Sequence, residues 1–263
     1  MIQARIIPCL LLKNKGLIKT YKFKESRYIG DPINAVKIFN EKEVDEIVLI
    51  DIEASKNNRK PDFNLISRIG KEAFMPMVYG GGIKTIEDAK KVLSSGFEKI
   101  SLNSLILNNK NAISEFSKYF GSQSIIVSID VKKNINGKYE VYDYLSGKSI
   151  KKNPIEYAIE SEEKGAGELL INSVDKDGTM EGYDLELIHK ISYNTTIPVI
   201  ALGGAGSLFD FKQIINEGGA SAASAGSMFV FQGKHKAVLI NYPNRKEIDD
   251  IIINKHDNKE INV

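Results

Sequence analysis

Two glycine-rich turns occupy matching points in the two halves of the chain, and each follows a strand-like apolar run. The first spans 76–83 (PMVYGGGI) and the second spans 198–206 (PVIALGGAG), 122 residues further on. Turns of this kind expose backbone N–H groups, which suit the oxygens of a phosphate. The pair predicts a substrate with a phosphate at each end, although glycines also simply relieve tight strand-to-helix corners.

Other polar residues extend each turn into a candidate phosphate cradle. Hydroxyls and backbone amides bind phosphate without needing a lysine. The loop 175–179 (DKDGT) is typical of an ordinary acidic turn when taken alone, but a phosphate-type turn follows on the next strand. The predicted phosphate-binding residues are Gly81, Gly82, Asn103 and Ser104 in one cradle, and Asp177, Gly178, Gly203, Gly204, Gly226 and Ser227 in the other.

Asp130 is the candidate proton-transfer group, because it ends an otherwise apolar strand between Ile129 and Val131. Burying a carboxylate costs free energy, so such a residue needs a partner or a chemical role, such as general acid–base work with a raised pKa. The alternative is a structural carboxylate capped by loop amides. Its counterpart in the first half is Leu11, and Lys19 in the following polar segment is either a substrate-anion ligand or a solvated lysine.

Two cations and two anions stand at the opposite, beginning ends of four predicted strands: Arg5, Glu46, Lys99 and Glu168. Charges that point into a barrel must pair, since unpaired buried charges cost several kcal/mol. A closed ring of salt bridges satisfies them. Three interpretations are open. The charges close the barrel floor structurally, or they form surface pairs of little energetic value. Alternatively, they form a gate that admits a small neutral molecule from a partner docked beneath.

These residues are positioned by eight apolar, β-branched runs that alternate with helical patterns. Runs that are apolar throughout are typical of parallel strands covered on both faces. Helices are predicted to begin at Asp31–Pro32 and at Thr85, with Gly96 ending the second. The pattern favours a (β/α)8 TIM barrel over an open doubly wound sheet, because no G-x-G-x-x-G follows the first strand. The predicted strands span 5–12, 46–52, 75–79, 99–102, 124–131, 168–172, 198–202 and 220–225.

An internal repeat supports the barrel. The segment 5–13 (RIIPCLLLK) is similar to 124–132 (SIIVSIDVK), and 46–50 is similar to 168–172. A repeat of about 120 residues is too long for a solenoid unit. We therefore predict a single domain over 1–263, built from half-barrels of about 1–120 and 121–245. Polar loops at 13–30 and 132–152 are predicted active-site flaps, and the charged tail 254–263 is expected to fray.

Composition excludes several classes of protein. The 263 residues carry a net charge of +2 with lysines spread along the chain, so no nucleic-acid footprint is expected. No apolar run approaches a membrane span, and no signal-peptide pattern opens the chain. One cysteine, Cys9, fits a reducing cytosol, so a cytoplasmic location is expected. Three scattered histidines predict no metal site, and no cofactor is expected.

Several motifs together carry a family resemblance: RIIPCL (5–10), GDP (30–32), GGGI (80–83), FGSQ (120–123), DKDGT (175–179), GYDLEL (182–187) and GGAG (203–206). Over about 4–231 the chain resembles the cyclase subunit of imidazole glycerol phosphate synthase. The resemblance implies a lyase of histidine biosynthesis that forms a heterodimer with a glutaminase beneath the barrel. Ammonia would meet a bis-phosphorylated ribulosyl-aminoimidazole-carboxamide, yielding imidazole glycerol phosphate and the aminoimidazole carboxamide ribotide. It also implies Asp130 as acid–base, Lys19 as flap lysine, and the four charged residues as an ammonia gate.

The departures from that family bear on function. An essential aspartate stands where this chain has Leu11, threonine is usual at Asn172, and serine is usual at Leu202. Segments 8–13 and 231–243 resemble paralogues found with surface-polysaccharide (lipopolysaccharide) genes, associated with adding an acetamidino group to a bacterial sugar together with a glutaminase and a separate ATP-dependent amidating enzyme.

Three hypotheses follow. The chain is a specialised paralogue that supports amidine formation, a working histidine-pathway cyclase, or a non-catalytic scaffold that channels ammonia.

Overall fold

The computed structural model describes residues 4–253, which alternate strands with helices. The strands are β1 (Arg5–Lys13), β2 (Gly16–Tyr21), β3 (Glu25–Gly30), β4 (Ile47–Asp51), β5 (Met77–Gly80), β6 (Lys99–Leu102), β7 (Ile125–Lys133), β8 (Tyr139–Asp143), β9 (Lys148–Ser149), β10 (Glu168–Ser173), β11 (Val199–Leu202), β12 (Ala222–Ala225), β13 (Phe231–Gln232) and β14 (Ala237–Val238). The helices are α1 (Pro32–Glu41), α2 (Phe63–Glu72), α3 (Ile86–Leu93), α4 (Ser104–Asn108), α5 (Asn111–Phe120), α6 (Pro154–Glu163), α7 (Leu185–Asn194), α8 (Leu208–Asn216), α9 (Ser227–Val230) and α10 (Arg245–Ile253), with a 3-10 turn at Ser122–Ser124.

Eight parallel strands close into a barrel in the order β1, β4, β5, β6, β7, β10, β11, β12 and back to β1. The pairings of β6 with β7 and of β12 with β1 join the two predicted half-barrels. This closed sheet confirms the predicted (β/α)8 TIM barrel and excludes the open doubly wound sheet. Each of the eight predicted strands lies within about two residues of an observed one.

Local sequence explains where the predicted helices begin. The Asp31 side chain accepts from the backbone N–H of Asn34, and Pro32 takes the first position of α1. Thr85 and Asp88 form a reciprocal capping box at the start of α3. Gly96, with φ +99°, follows the end of that helix in a conformation that favours glycine.

The two predicted flap loops are wrong as loops, because both contain paired strands. In 13–30, β2 extends antiparallel from β1 and pairs with β3. In 132–152, β8 pairs antiparallel with β7 and then with β9. The parallel strands β1 and β7 are nine residues long, so each projects above the barrel and supplies an edge for its hairpin. We call the β2–β3 segment the first hairpin and the β8–β9 segment the second hairpin.

The core has two layers, as a barrel requires. The larger layer packs the helices against the outer face of the sheet. The smaller layer fills the barrel interior with a set of buried side chains: Ile7, Cys9, Val48, Val78, Ile126, Leu170, Ile200 and Ala222. Inward-facing residues of one strand are two apart, so β10 presents Glu168, Leu170 and Asn172 in succession from the floor of the barrel to its upper rim.

Within residues 4–253, no helix is long and apolar enough to cross a membrane. The predicted fraying tail 254–263 lies outside the described residues.

Candidate functional site

A cavity of about 1020 Å³, including its open mouth, lies at the carboxyl ends of the barrel strands. Its lining includes Lys19, Gly81, Gly82, Asn103, Ser104, Asp130 and Asp177, so residues predicted for proton transfer and for one phosphate cradle share one space. Carboxyl ends of barrel strands carry the active sites of enzymes with this fold. This cavity is therefore the candidate active site.

Asp130 sits in the cavity wall with only 7% of its surface exposed. Asn103 donates its side-chain Nδ2–H to Asp130 Oδ2 at 2.9 Å, and Asn172 donates its Nδ2–H to Oδ1 at 3.2 Å. Burial raises the pKa of Asp130 to about 7, and the two amide donors only partly oppose that rise. A carboxyl group with this pKa both gives and takes protons near neutral pH, as a general acid–base requires.

Asn103 was predicted as a phosphate ligand, but its side-chain nitrogen donates to Asp130. Gly81 and Gly82 have positive φ values of +111° and +72°, which favour glycine in this turn. The backbone N–H of Gly82 donates to Ser55 Oγ at 3.1 Å. In this cradle, Gly81 and Ser104 also line the cavity.

Asp177 and Gly178 hold the first hairpin against the barrel, a function that the sequence did not indicate. The Asp177 carboxylate accepts from Thr20 Oγ1 at 2.7 Å and from the backbone N–H of Phe23 at 3.2 Å. A Cβ on Gly178 would lie 2.4 Å from the Thr20 carbonyl oxygen, and the φ of +71° also favours glycine. Close approach of the hairpin explains this glycine without a phosphate.

The other members of the second predicted cradle, Gly203, Gly204, Gly226 and Ser227, lie outside the lining of the cavity formed by the described residues. Lys19 contacts this cradle from the hairpin, because a Cβ on Gly226 would lie 1.9 Å from Lys19 Nζ. The lysine is only 6% exposed. Its ammonium group is therefore enclosed beside Gly226, and the alternative of a solvated loop lysine is wrong.

The four charged residues at the strand beginnings form one closed ring. The Arg5 guanidinium contacts both Glu46 and Glu168, and Lys99 Nζ lies 3.0 Å from Glu46 Oε1 and 3.0 Å from Glu168 Oε2. The Glu46 and Glu168 side chains are 2% and 7% exposed, so these are not surface pairs. Burial opposes the charge of Arg5, but the two carboxylates outweigh it and raise the pKa of the guanidinium.

Sequence reasoning missed the aromatic mouth of the cavity and the interior thiol. Phe23 and Tyr144, one from each hairpin, line the cavity with ring centroids 5.7 Å apart in an edge-to-face arrangement. They meet across more than a hundred residues, so no local spacing could indicate the contact. Cys9 also lines the cavity, and burial raises its pKa to about 11, which keeps the thiol protonated near neutral pH.

The chain resembles known proteins over nearly its whole length. The family model described as "Histidine biosynthesis protein" matches residues 5–236. A Pseudomonas aeruginosa protein named "Putative imidazole glycerol phosphate synthase subunit hisF2" is 49% identical over 249 residues, covering 95% of this chain and 99% of the relative. A Leptospira interrogans protein, "Putative imidazole glycerol phosphate synthase subunit HisF", is 50% identical and covers 94% and 98% of the two chains.

An Alkaliphilus metalliredigens protein named "Imidazole glycerol phosphate synthase subunit HisF" is 40% identical over 229 residues, covering 87% of this chain and 91% of the relative. The family match and these identities agree with the motifs and with the barrel. The chain belongs to the histidine biosynthesis protein family and, within it, to the HisF-like group.

Proposed function

We propose that this chain is the ammonia-using synthase subunit of a glutamine-dependent amidotransferase, specialised to support acetamidino-group formation on a bacterial surface sugar. The observation that carries the proposal is Leu11. It lines the cavity at the strand position equivalent to that of Asp130, where a leucine cannot transfer a proton. A cyclisation that needs two acid–base groups therefore loses one, whereas delivery of ammonia does not depend on it.

A second apolar residue, at a position where the resembling family has a polar one, supports the same proposal. Leu202 also lines the cavity, where the resembling cyclases have serine, and Leu170 lies on the neighbouring strand. Several hydrocarbon side chains thus surround Asp130 in the cavity wall, with Cys9, Lys19 and Asp177 close by. Such a wall suits a small neutral reactant better than a polar imidazole precursor.

A glutaminase partner is proposed for the floor of the barrel. Three large aromatic residues are exposed at the ends of helices that lead to the strand beginnings: Phe74 is 90% exposed, Tyr193 is 82% exposed and Tyr119 is 59% exposed. Exposed aromatic side chains at one end of a barrel are candidates for a protein interface. The salt-bridge ring lies at this same end of the barrel, so a docked glutaminase would release ammonia directly beneath the ring.

In the proposed reaction path, ammonia passes the ring, crosses the apolar interior and arrives beside Asp130. The ring residues would separate transiently to admit it, because in their paired state they close the floor. Asp130, with a pKa near 7, would hold or release the proton that ammonia gains or loses at the cavity. Lys19 would neutralise an anionic group of the bound molecule beside Gly226.

A complementation test separates this proposal from a working histidine cyclase, which the retained Asp130, Lys19 and glycine turns favour. The chain is expressed with its glutaminase in a histidine auxotroph that lacks the cyclase. We expect no growth without histidine, while a genuine cyclase restores it. Growth at the rate given by the genuine cyclase would overturn the specialised role.

Two variants at Leu11 sharpen that test. Leu11→Asp adds the missing acid, and Leu11→Asn is a control of the same shape that cannot transfer a proton. If the missing acid explains the expected lack of cyclase activity, only Leu11→Asp gains measurable activity, because general acid–base groups contribute about 10²–10⁴-fold to rate. Equal activity of both variants would show that Leu11 is not the reason.

The third hypothesis, a non-catalytic ammonia scaffold, is tested in the surface-sugar pathway itself. A strain lacking this gene is complemented with wild type, Asp130→Asn or Lys99→Met, and amidine content of the surface polysaccharide is measured by mass spectrometry. We expect Asp130→Asn to lose most of the amidine. Full amidine content with Asp130→Asn, combined with loss in Lys99→Met, would favour the scaffold.

A further inference from the structure

Three hairpins form one continuous surface beside the mouth of the candidate active site. Phe23 of the first hairpin contacts Tyr144 of the second, with ring centroids 5.7 Å apart. Arg27 joins the first hairpin to the short hairpin of β13 and β14, because its guanidinium donates to the Lys236 carbonyl oxygen at 2.9 Å. A partner that covers the mouth would therefore contact all three hairpins together.

We call segments 13–30, 132–152 and 231–238 together the hairpin surface, and this surface is strongly basic. It holds 14 of the chain's 36 lysines and arginines but only three of its 34 acidic residues. The rest of the chain carries an excess of negative charge, because the net charge of the whole is only +2. Among residues 4–253, Lys15 alone of these 14 cations has a salt-bridge partner. Such a surface attracts an anionic partner.

The same surface also exposes large apolar side chains among its lysines. They are Tyr21, Tyr28, Ile135, Leu145 and Val238. Aliphatic groups gain little from phosphates, whereas the centre of a protein interface is apolar and its edge is polar. A stable protein interface takes about 20–30 residues from each partner, and the hairpin surface contains more than that number. The composition therefore favours an acidic protein over a nucleic acid.

The hairpin surface borders the exit that the proposed function needs. Phe23 and Tyr144 line the cavity, so a protein seated on the hairpins covers its mouth. Ammonia that left an open mouth would be diluted and protonated in the surrounding water, whereas a covered mouth passes it on directly. The glutaminase is proposed for the floor, so the opposite end of the barrel is left for the protein that receives the ammonia.

We propose that the hairpin surface docks an acidic face of the enzyme that consumes the ammonia. This inference rests on the proposed function and names the kind of partner that receives its product. Attraction between a basic and an acidic surface speeds their encounter and fixes their relative orientation, which here aligns the two openings. The exposed apolar side chains are buried at the contact. A membrane or a nucleic acid across the mouth would close the exit without using the ammonia.

The first test measures binding of this chain, in complex with its glutaminase, to the purified ATP-dependent amidating enzyme of the same pathway by calorimetry. Lys24→Glu combined with Lys138→Glu reverses two exposed cations of the hairpin surface. Arg68→Glu combined with Lys90→Glu is the matched control, because these exposed cations lie on α2 and α3. We expect wild-type affinity to fall as salt is raised, and to fall about tenfold in the hairpin variant but not in the control.

Two outcomes of the binding test would overturn the inference. One is equal affinity of wild type, hairpin variant and control. The other is that wild type fails to bind the amidating enzyme. If it then binds vesicles of phosphatidylglycerol or duplex DNA instead, the surface serves a membrane or a nucleic acid.

A second measurement links docking to ammonia transfer. The strain lacking this gene is complemented with wild type, the hairpin variant or the control, and amidine content is measured by mass spectrometry at low and high ammonium in the medium. We expect the hairpin variant to lose amidine several-fold at low ammonium only, because abundant free ammonia reaches the amidating enzyme without a covered exit. The control should match wild type throughout. A hairpin variant that keeps its amidine at low ammonium, or that high ammonium does not restore, would refute the role in transfer.

This result can be separated from the fate of the proposed function. If loss of the gene removes the amidine but the hairpin variant binds and transfers as wild type does, only the docking inference is overturned. If loss of the gene leaves amidine content unchanged, the proposed function is overturned, whatever the calorimetry gives.

Discussion

Asp130 should make the protein less stable at neutral pH than an uncharged side chain would. Its folded-state pKa is raised from 3.8 to about 7 because burial disfavours the carboxylate. A group with a raised folded pKa contributes stability below its unfolded pKa, and that contribution is lost as pH rises toward the folded pKa. Above the folded value the loss is complete, because the folded and unfolded states are then both ionised.

The magnitude follows from the size of the shift. A rise of the pKa from 3.8 to about 7, at about 1.36 kcal/mol for each tenfold change in proton affinity, gives a penalty of about 4 kcal/mol above neutral pH. At about pH 5 the penalty is about 1.6 kcal/mol, since only the unfolded state has ionised. The variant Asp130→Asn removes this pH-dependent term. The Asn172 side-chain oxygen is buried without a donor among residues 4–253, and the new amide can donate to it once the Asn172 amide turns over.

The assay is urea unfolding of wild type and Asp130→Asn at several values between about pH 4 and pH 9. Subtracting the two free energies of unfolding cancels the other titrating groups. We expect the stability advantage of the variant to grow by about 2–4 kcal/mol from acid to neutral pH and then to level off. An advantage that stays flat, or shrinks as pH rises, would show that Asp130 titrates near its ordinary pKa and would refute the burial argument.

Three further predictions concern the floor and the first hairpin. Lys99→Met should lower the free energy of unfolding by about 2 kcal/mol or more, because it leaves two buried carboxylates to share Arg5. The measurement is urea unfolding, and a loss of stability near zero would contradict the prediction. Gly178→Ala should cost about 1–3 kcal/mol through its positive φ and its contact with the Thr20 carbonyl, and should speed proteolysis within the first hairpin; an unchanged cleavage rate would argue against docking at this point. Gly226→Ala should displace Lys19 Nζ and weaken inorganic phosphate binding about tenfold in calorimetry, whereas equal affinity would remove Lys19 from the anion site.

The barrel was predictable because its strands are buried on both faces. Such strands are apolar throughout, and their runs stand out from the helical patterns between them. The strand Lys99–Leu102 was placed without error, and Asp31 and Thr85 mark helix starts by local hydrogen bonds alone. Signals of this kind involve residues within a few positions of one another, so a single sequence contains them.

The hairpins and the contacts of the site were not predictable in the same way. The segment Glu25–Gly30 is polar and largely exposed, so it has no apolar alternation to distinguish a strand from a loop. Asp177 binds Thr20 across 157 positions, and Asn172 meets Asp130 across 42. The sequence marked Asn172 only as a departure from a resembling family. Its open acceptor depends on which way one amide is turned, and only the three-dimensional hydrogen-bond network fixes that.

The order of inward side chains on β10 restricts what could cross the barrel. From floor to rim these are Glu168 in the charged ring, Leu170 in the apolar interior and Asn172 beside Asp130. An ammonium ion passing the layer of Leu170 would lose its hydration without gaining a counter-charge, which is costly, whereas neutral ammonia loses little. If ammonia follows the proposed path, an ammonium ion must therefore lose its proton at or below the ring. The neutral ammonia then finds a hydrogen-bond acceptor again only at the rim. Asp130, which accepts hydrogen bonds from Asn103 and Asn172, is the polar group that β7 places at that point.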